Sequence, residues 1–170
     1  EDNSSLLGSL MLTQLYLAAL RRSKQPEAER KDFYLYIDEL QSFITEDFPS
    51  ILSEARKYRL NIAVMANQFI GQLPENLSSS ILGNVGTLIA FASGSKDAEI
   101  LAREFHPTFS EVDLQNLPKH HVYMKLSING STSEPFSAET LLPILSSRVS
   151  GKEKIVSQCR ARYSKRRTNV

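Results

Sequence analysis

The stretch Phe33-Tyr34-Leu35-Tyr36-Ile37-Asp38-Glu39 sets five apolar, aromatic or β-branched residues in a row and ends them abruptly in two carboxylates. A run without polar alternation predicts a strand buried on both faces, as in a parallel sheet. Two further runs share this character: Asn61-Ile62-Ala63-Val64-Met65-Ala66, which ends at Asn67-Gln68, and Gly86-Thr87-Leu88-Ile89-Ala90-Phe91. Helical patterns lie between them. Strands alternating with helices predict an open, mostly parallel α/β sheet. In such sheets ligands bind outside the carboxyl ends of the strands. Asp38-Glu39 and Asn67-Gln68 both stand at such ends and make a candidate site.

Working outward, residues 4–21 read as a helix, with Leu6, Leu7, Leu10, Leu15 and Leu17 or Ala18 at helical spacing. Asn3 or Ser4 would cap its start, and Arg21 and Arg22 suit the negative end of its dipole. Residues 22–32 are charged, contain Pro26 and read as a loop. Residues 49–59 predict a helix with Pro49 in its first turn, residues 75–83 a short helix or turn, and residues 96–105 a helix. Ser110 to Leu114 predicts a short helix, with Ser110 as cap and Asp113 in a capping-box role. Val122, Met124, Leu126 and Ile128 alternate with polar neighbours, the period of a strand with one wet face. Asn129-Gly130 is a turn signal, and residues 131–136 are expected to return as the second arm of a hairpin. The compact domain is expected over 1–145 and a basic linker or tail over 146–170.

Four residues carry candidate chemistry. Four apolar strand residues followed by two acids form the Walker B pattern: Asp38 would hold a hydrated magnesium ion beside nucleotide phosphates, and Glu39 would polarise a water for in-line attack on the γ-phosphate. The plain alternative is a strand leaving the core, where acids are common. Gln68, at the tip of the next strand, could bond both the attacking water and the γ-phosphate, or be a solvated loop residue. Arg56, within Ser53-Glu54-Ala55-Arg56-Lys57-Tyr58-Arg59, could reach the phosphates of a neighbouring subunit, or belong to a solvated helix face with a Glu54–Lys57 pair. His106, His120 and His121 have no metal-ligand spacing, and no Ser/His/Asp triad can be argued.

Composition narrows the classes. The chain has 170 residues, 41% hydrophobic and 23% charged, with a formal net charge of +1, which is an ordinary soluble composition. The charge is uneven: Arg148 to Val170 holds eight cations and one carboxylate, Glu153, and leaves a mildly acidic body. A single cysteine, Cys159, excludes an internal disulfide framework and fits a reducing, cytoplasmic setting. No apolar run approaches the ~18 residues of a membrane span. No Gly-x-x-x-x-Gly-Lys-Ser/Thr occurs. The chain, which does not begin with Met, is expected to be part of something longer, and by itself to bind ATP poorly.

The segments FYLYIDELQSF, ILSEARKYRLNIAVMANQ, ILGNVGTLIAF, KDAEILAREF and the NLPKHHVYMKL to PFSAETL region, in this order and spacing, resemble the type IV secretion and conjugative coupling ATPases of the TraG/TraD kind, members of the HerA/FtsK motors. The resemblance covers about residues 1–142, and the leading EDNSSLLGSLMLTQLYLAAL looks like the helix before Walker B in that group. It implies a partial RecA-like P-loop NTPase core with a C-terminal β-hairpin, the phosphate-binding half missing. It further implies ATP and Mg2+ as ligands, a DNA or protein–DNA cargo and a homo-hexamer. The expected setting is cytoplasmic, or the cytoplasmic face of the inner membrane, with membrane attachment only through an upstream segment. On this match Asp38 orders the magnesium ion, Glu39 is the catalytic base, Gln68 senses the γ-phosphate, and Arg56 is the finger supplied in trans. The rival reading is a non-catalytic docking module for relaxosome or secretion-channel proteins.

Overall fold

A computed structural model describes residues 2–67, 70–73, 75–142 and 151–164. The chain divides into two compact units, Glu1–Thr140 and Leu141–Val170. The first begins with helix α1 (Asp2–Leu20), which runs into a 3-10 turn at Arg21–Lys24. The helix already contains Asn3 and Ser4, so neither is its cap. Strand β1 (Phe33–Ile37) follows, then helix α2 (Phe48–Ala55) and strand β2 (Leu60–Val64). β1 and β2 pair in parallel, from Phe33 opposite Leu60 to Ile37 opposite Val64.

Helices α1, α2 and α3 (Glu75–Asn84) cover one face of this pair. Phe48, fully buried, and Leu40, 1% exposed, centre the core there, with Leu12 and Ile81 beside them and Leu35 and Ile37 of β1 packed against them. The other face of β1 is bare: Tyr34 is 62% and Tyr36 70% exposed. The expected burial on both faces therefore does not hold. Among the described residues helices lie on one side only, so β1 has the period-two burial of a half-covered strand.

Helix α1 also turns an unexpected side to the core. Leu12 and Ala19 are buried, while Leu6, Leu7, Leu10 and Leu17 point outward. The reason is a close approach at Gly8, where a β-carbon would run into Cδ1 of the Phe43 ring. Ser9 Oγ, one residue on, donates to the Phe43 carbonyl at 3.2 Å. The helix is thus docked by its small residues, because only they let its backbone reach the segment after β1.

The third run forms strand β3 (Leu88–Ala90), which pairs antiparallel with β4 (His121–Lys125). β4 pairs antiparallel with β7 (Phe136–Glu139). Parallel pairing is thus confined, among the described residues, to β1–β2. Helices α4 (Ser95–Phe105) and α5 (Glu111–Gln115) pack on this second sheet through Ala98, Leu101, Phe105 and Leu114. Tyr123 of β4 stacks on Phe109, ring centroids 3.7 Å apart, and meets Phe105 edge-on at 6.4 Å. Burial raises the pKa of its hydroxyl.

The α5 capping box is present as expected. Ser110 Oγ accepts from the Asp113 N–H at 3.3 Å, and Asp113 Oδ2 accepts from the Ser110 N–H at 2.8 Å. The hairpin is present too: β5 (Ser127–Ile128) and β6 (Ser131–Thr132) meet across Asn129 and Gly130, whose φ angles of 52° and 80° are those of a tight turn with two left-handed residues. The second unit contains helix α6 (Lys152–Tyr163), with no buried residue.

Candidate functional site

The end of β1 is built by one conformational switch. Glu39 adopts φ 54° and ψ 49°, the left-handed region that non-glycine residues enter at a cost of about 1–2 kcal/mol. The switch sends Leu40 down into the core and leaves Asp38 and Glu39 facing solvent. It is held from β2, since Met65 N–H donates to the Ile37 carbonyl at 2.8 Å and Leu40 N–H to the Met65 carbonyl at 3.1 Å. Such strain persists where surrounding bonds overdetermine it, and it concentrates at functional sites.

The two carboxylates are engaged differently. Asp38 Oδ1 accepts the Glu39 backbone N–H at 3.0 Å, which orients the carboxylate. Glu39 Oε2 accepts from Gln41 Nε2. Gln41 sits in the 3-10 turn Leu40–Ser42, and its Oε1 is buried without a hydrogen-bond partner among the described residues. Sequence reasoning passed over Gln41. The available signal was its place two residues beyond Glu39, in a turn that must double back under the strand tip.

Because β1 and β2 are parallel and in register, β2 leaves the sheet at the same end, through Met65, Ala66 and Asn67, all exposed. Asn67 therefore stands at the carboxylate end. Gln68 lies outside the described residues. Arg56 is elsewhere: it opens the 3-10 turn Arg56–Tyr58 between α2 and β2, at the edge where the strands begin. A five-residue strand, roughly 17 Å long, separates that edge from Asp38. The Arg56 guanidinium is exposed and, among the described residues, held by no ion pair or hydrogen bond. Arg59, one turn further on, is drawn to Asp32 at 3.6 Å.

Among the described residues no group of three or more histidine, cysteine or acidic side chains could hold a metal ion. A magnesium ion that keeps most of its waters and is carried on phosphates needs only one or two carboxylates. Asp38, exposed and oriented by the next backbone N–H, suits that demand.

The fold, taken as a whole, resembles solved structures. The chain matches plasmid coupling protein TrwB in complex with a non-hydrolysable ATP analogue at a TM-score of 0.60, with 13% identity over 81% of its length. It matches the unbound monoclinic form of the conjugative coupling protein TrwB at 0.58, with 14% identity over 76%. A TrwB complex with ADP and Mg2+ matches at 0.58, with 14% identity over 80%. The chain shares the fold of part of TrwB. It spans little more than a third of those chains, 37% of the first and 36% of the second. No family model and no curated protein matches the sequence.

Proposed function

We propose that this chain supplies the metal- and water-handling half of the nucleotide site in an ATP-driven motor of conjugative coupling type. The observation that carries the reading is the β1 tip, with two exposed carboxylates on a left-handed turn beside the end of a parallel neighbour, in a chain that shares the fold of part of TrwB. The TrwB structures hold an ATP analogue, and ADP with Mg2+.

Asp38 would hold a hydrated magnesium ion, which when bound would supply positive charge to offset that of the nucleotide phosphates. Glu39 accepts the proton of a water as its oxygen attacks the γ-phosphorus. The bond from phosphorus to the bridging oxygen breaks, and ADP leaves with that electron pair. Gln41 fixes the Glu39 carboxylate, and Gln68 bonds the attacking water and the γ-phosphate. Arg56, at the far edge of the sheet, acts on the site of an adjacent copy in a homo-hexamer. The phosphate-binding loop comes from the larger protein, so the chain alone does not hydrolyse ATP. The cargo is DNA or protein–DNA, moved at the cytoplasmic face of the inner membrane. No helix among the described residues is long and apolar enough to cross a membrane.

The test is ATP binding by the protein that includes the phosphate-binding loop, with and without magnesium. Asp38→Asn is expected to abolish the tightening that magnesium gives the unaltered protein. Equal magnesium dependence in both would remove Asp38 from the site. The second reading, a docking module for relaxosome or channel proteins, is favoured by the exposed apolar side of α1, Leu6, Leu7, Leu10 and Met11. It predicts no nucleotide binding in either protein.

A further inference from the structure

The second unit carries the sharpest charge contrast in the chain. From Arg148 to Val170 eight cations stand with one carboxylate, whereas residues 1–147 hold twelve cations and eighteen carboxylates. The described part of this segment is α6, exposed along its whole length. Its cations do not share a side. At a step of roughly 100° per residue, Lys154, Arg160 and Arg162 stand roughly 80–160° from one another round the axis. Arg162 lies over the Tyr163 ring at 5.4 Å, and Ser164 closes the helix by donating its hydroxyl to the Arg160 carbonyl at 2.7 Å. A helix of twelve residues with no buried side chain is marginal in water, and mutual repulsion of its cations weakens it further. A partner that neutralises those charges favours the helical form.

We propose that α6 is a contact site for the phosphodiester backbone of nucleic acid, recognising charge and not base sequence. A membrane-surface helix requires a broad apolar face opposite a cationic one. In α6 the apolar side chains Ile155, Val156 and Tyr163 fill only a narrow arc, with Lys152 projecting within it and Arg160 and Arg162 at its borders. Cations spread round the axis suit a partner whose phosphates lie on both sides of the helix, as they do along a nucleic-acid groove. The contact involves none of the residues of the nucleotide site, so it stands or falls independently of the motor reading.

The chain is titrated, without nucleotide, onto a labelled duplex of about 30 base pairs and arbitrary sequence, at about 50 and 200 mM salt. It is compared with a Lys154→Gln, Arg160→Gln, Arg162→Gln variant, in which glutamine preserves helix propensity. Three lost phosphate contacts predict a log–log salt slope shallower by about 2.7, so that over this interval the unaltered chain loses roughly 40-fold more affinity than the variant. Glu153→Gln is expected to tighten binding. An unchanged slope in the triple variant overturns the proposal. So does binding to phosphatidylserine vesicles that exceeds binding to the duplex.

Discussion

Glu39 is where backbone and chemistry meet. Its left-handed φ lets one residue face solvent while the next, Leu40, anchors the core, so the tip of β1 is fixed by burial on one side and by the Met65 backbone on the other. In the proposed mechanism, where Glu39 is the general base, the hydrogen bond from Gln41 adds the orientation that such a base requires. In the motor, Gln41→Leu is therefore expected to lower kcat by on the order of 10–100-fold with little change in the KM for ATP. Unaltered kcat in steady-state assays would deny Gln41 its positioning role. Asp113 offers a pH test at the same scale. The Ser110 hydroxyl and backbone N–H, bonded to its carboxylate, lower its pKa. The folded value lies below the unfolded one, so the stabilisation is present above about pH 4 and is lost as pH falls through the folded value. Asp113→Ala should lower the urea midpoint at neutral pH and leave it unchanged in strong acid. A gap that persists in acid would mean that charge is not the cause.

The elements were legible where one local rule governs them. The β1 and β2 runs, the α4 pattern, the Ser110 cap and the Asn129-Gly130 turn all follow from composition over a few residues, and each stands where such rules put it. What local rules miss is which face meets which neighbour. Leu6, Leu7 and Leu10 recur like a core stripe, yet α1 docks through Gly8, Ser9 and Leu12, because backbone proximity to Phe43 outweighs side-chain hydrophobicity there. The tip acids of β1 were readable as a candidate site, but the contact of Gln41 with Glu39 was not, since it arises only once the turn brings Gln41 back to Glu39. Gly8→Ala should cost about 1–3 kcal/mol by driving a methyl into the Phe43 ring, although alanine favours helix more than glycine does. Phe43→Leu should restore part of that loss. Chemical denaturation of both variants checks this, and a stabilised Gly8→Ala would show that α1 does not sit so close.

At the scale of the whole molecule, the β1–β2 sheet has two unlike ends. The carboxylates stand at one edge and Arg56 at the other, separated by a strand length. In the proposed function one copy does not bring both to the same phosphates, so Arg56 serves the site of an adjacent copy. In the assembled motor, Arg56→Ala and Glu39→Gln should each depress ATP hydrolysis. Mixing the two proteins should restore part of the rate, since some interfaces then join an intact carboxylate pair to an intact arginine. Mixtures no faster than either variant alone would remove the arginine from that role.

The central claim is that the β1 tip performs the chemical step, and single-turnover hydrolysis by Glu39→Gln in the protein carrying the phosphate-binding loop addresses it most directly. The account predicts that the variant binds ATP and magnesium as the unaltered protein does while cleavage of the bound nucleotide slows by at least about 100-fold. Cleavage at the unaltered rate would contradict it.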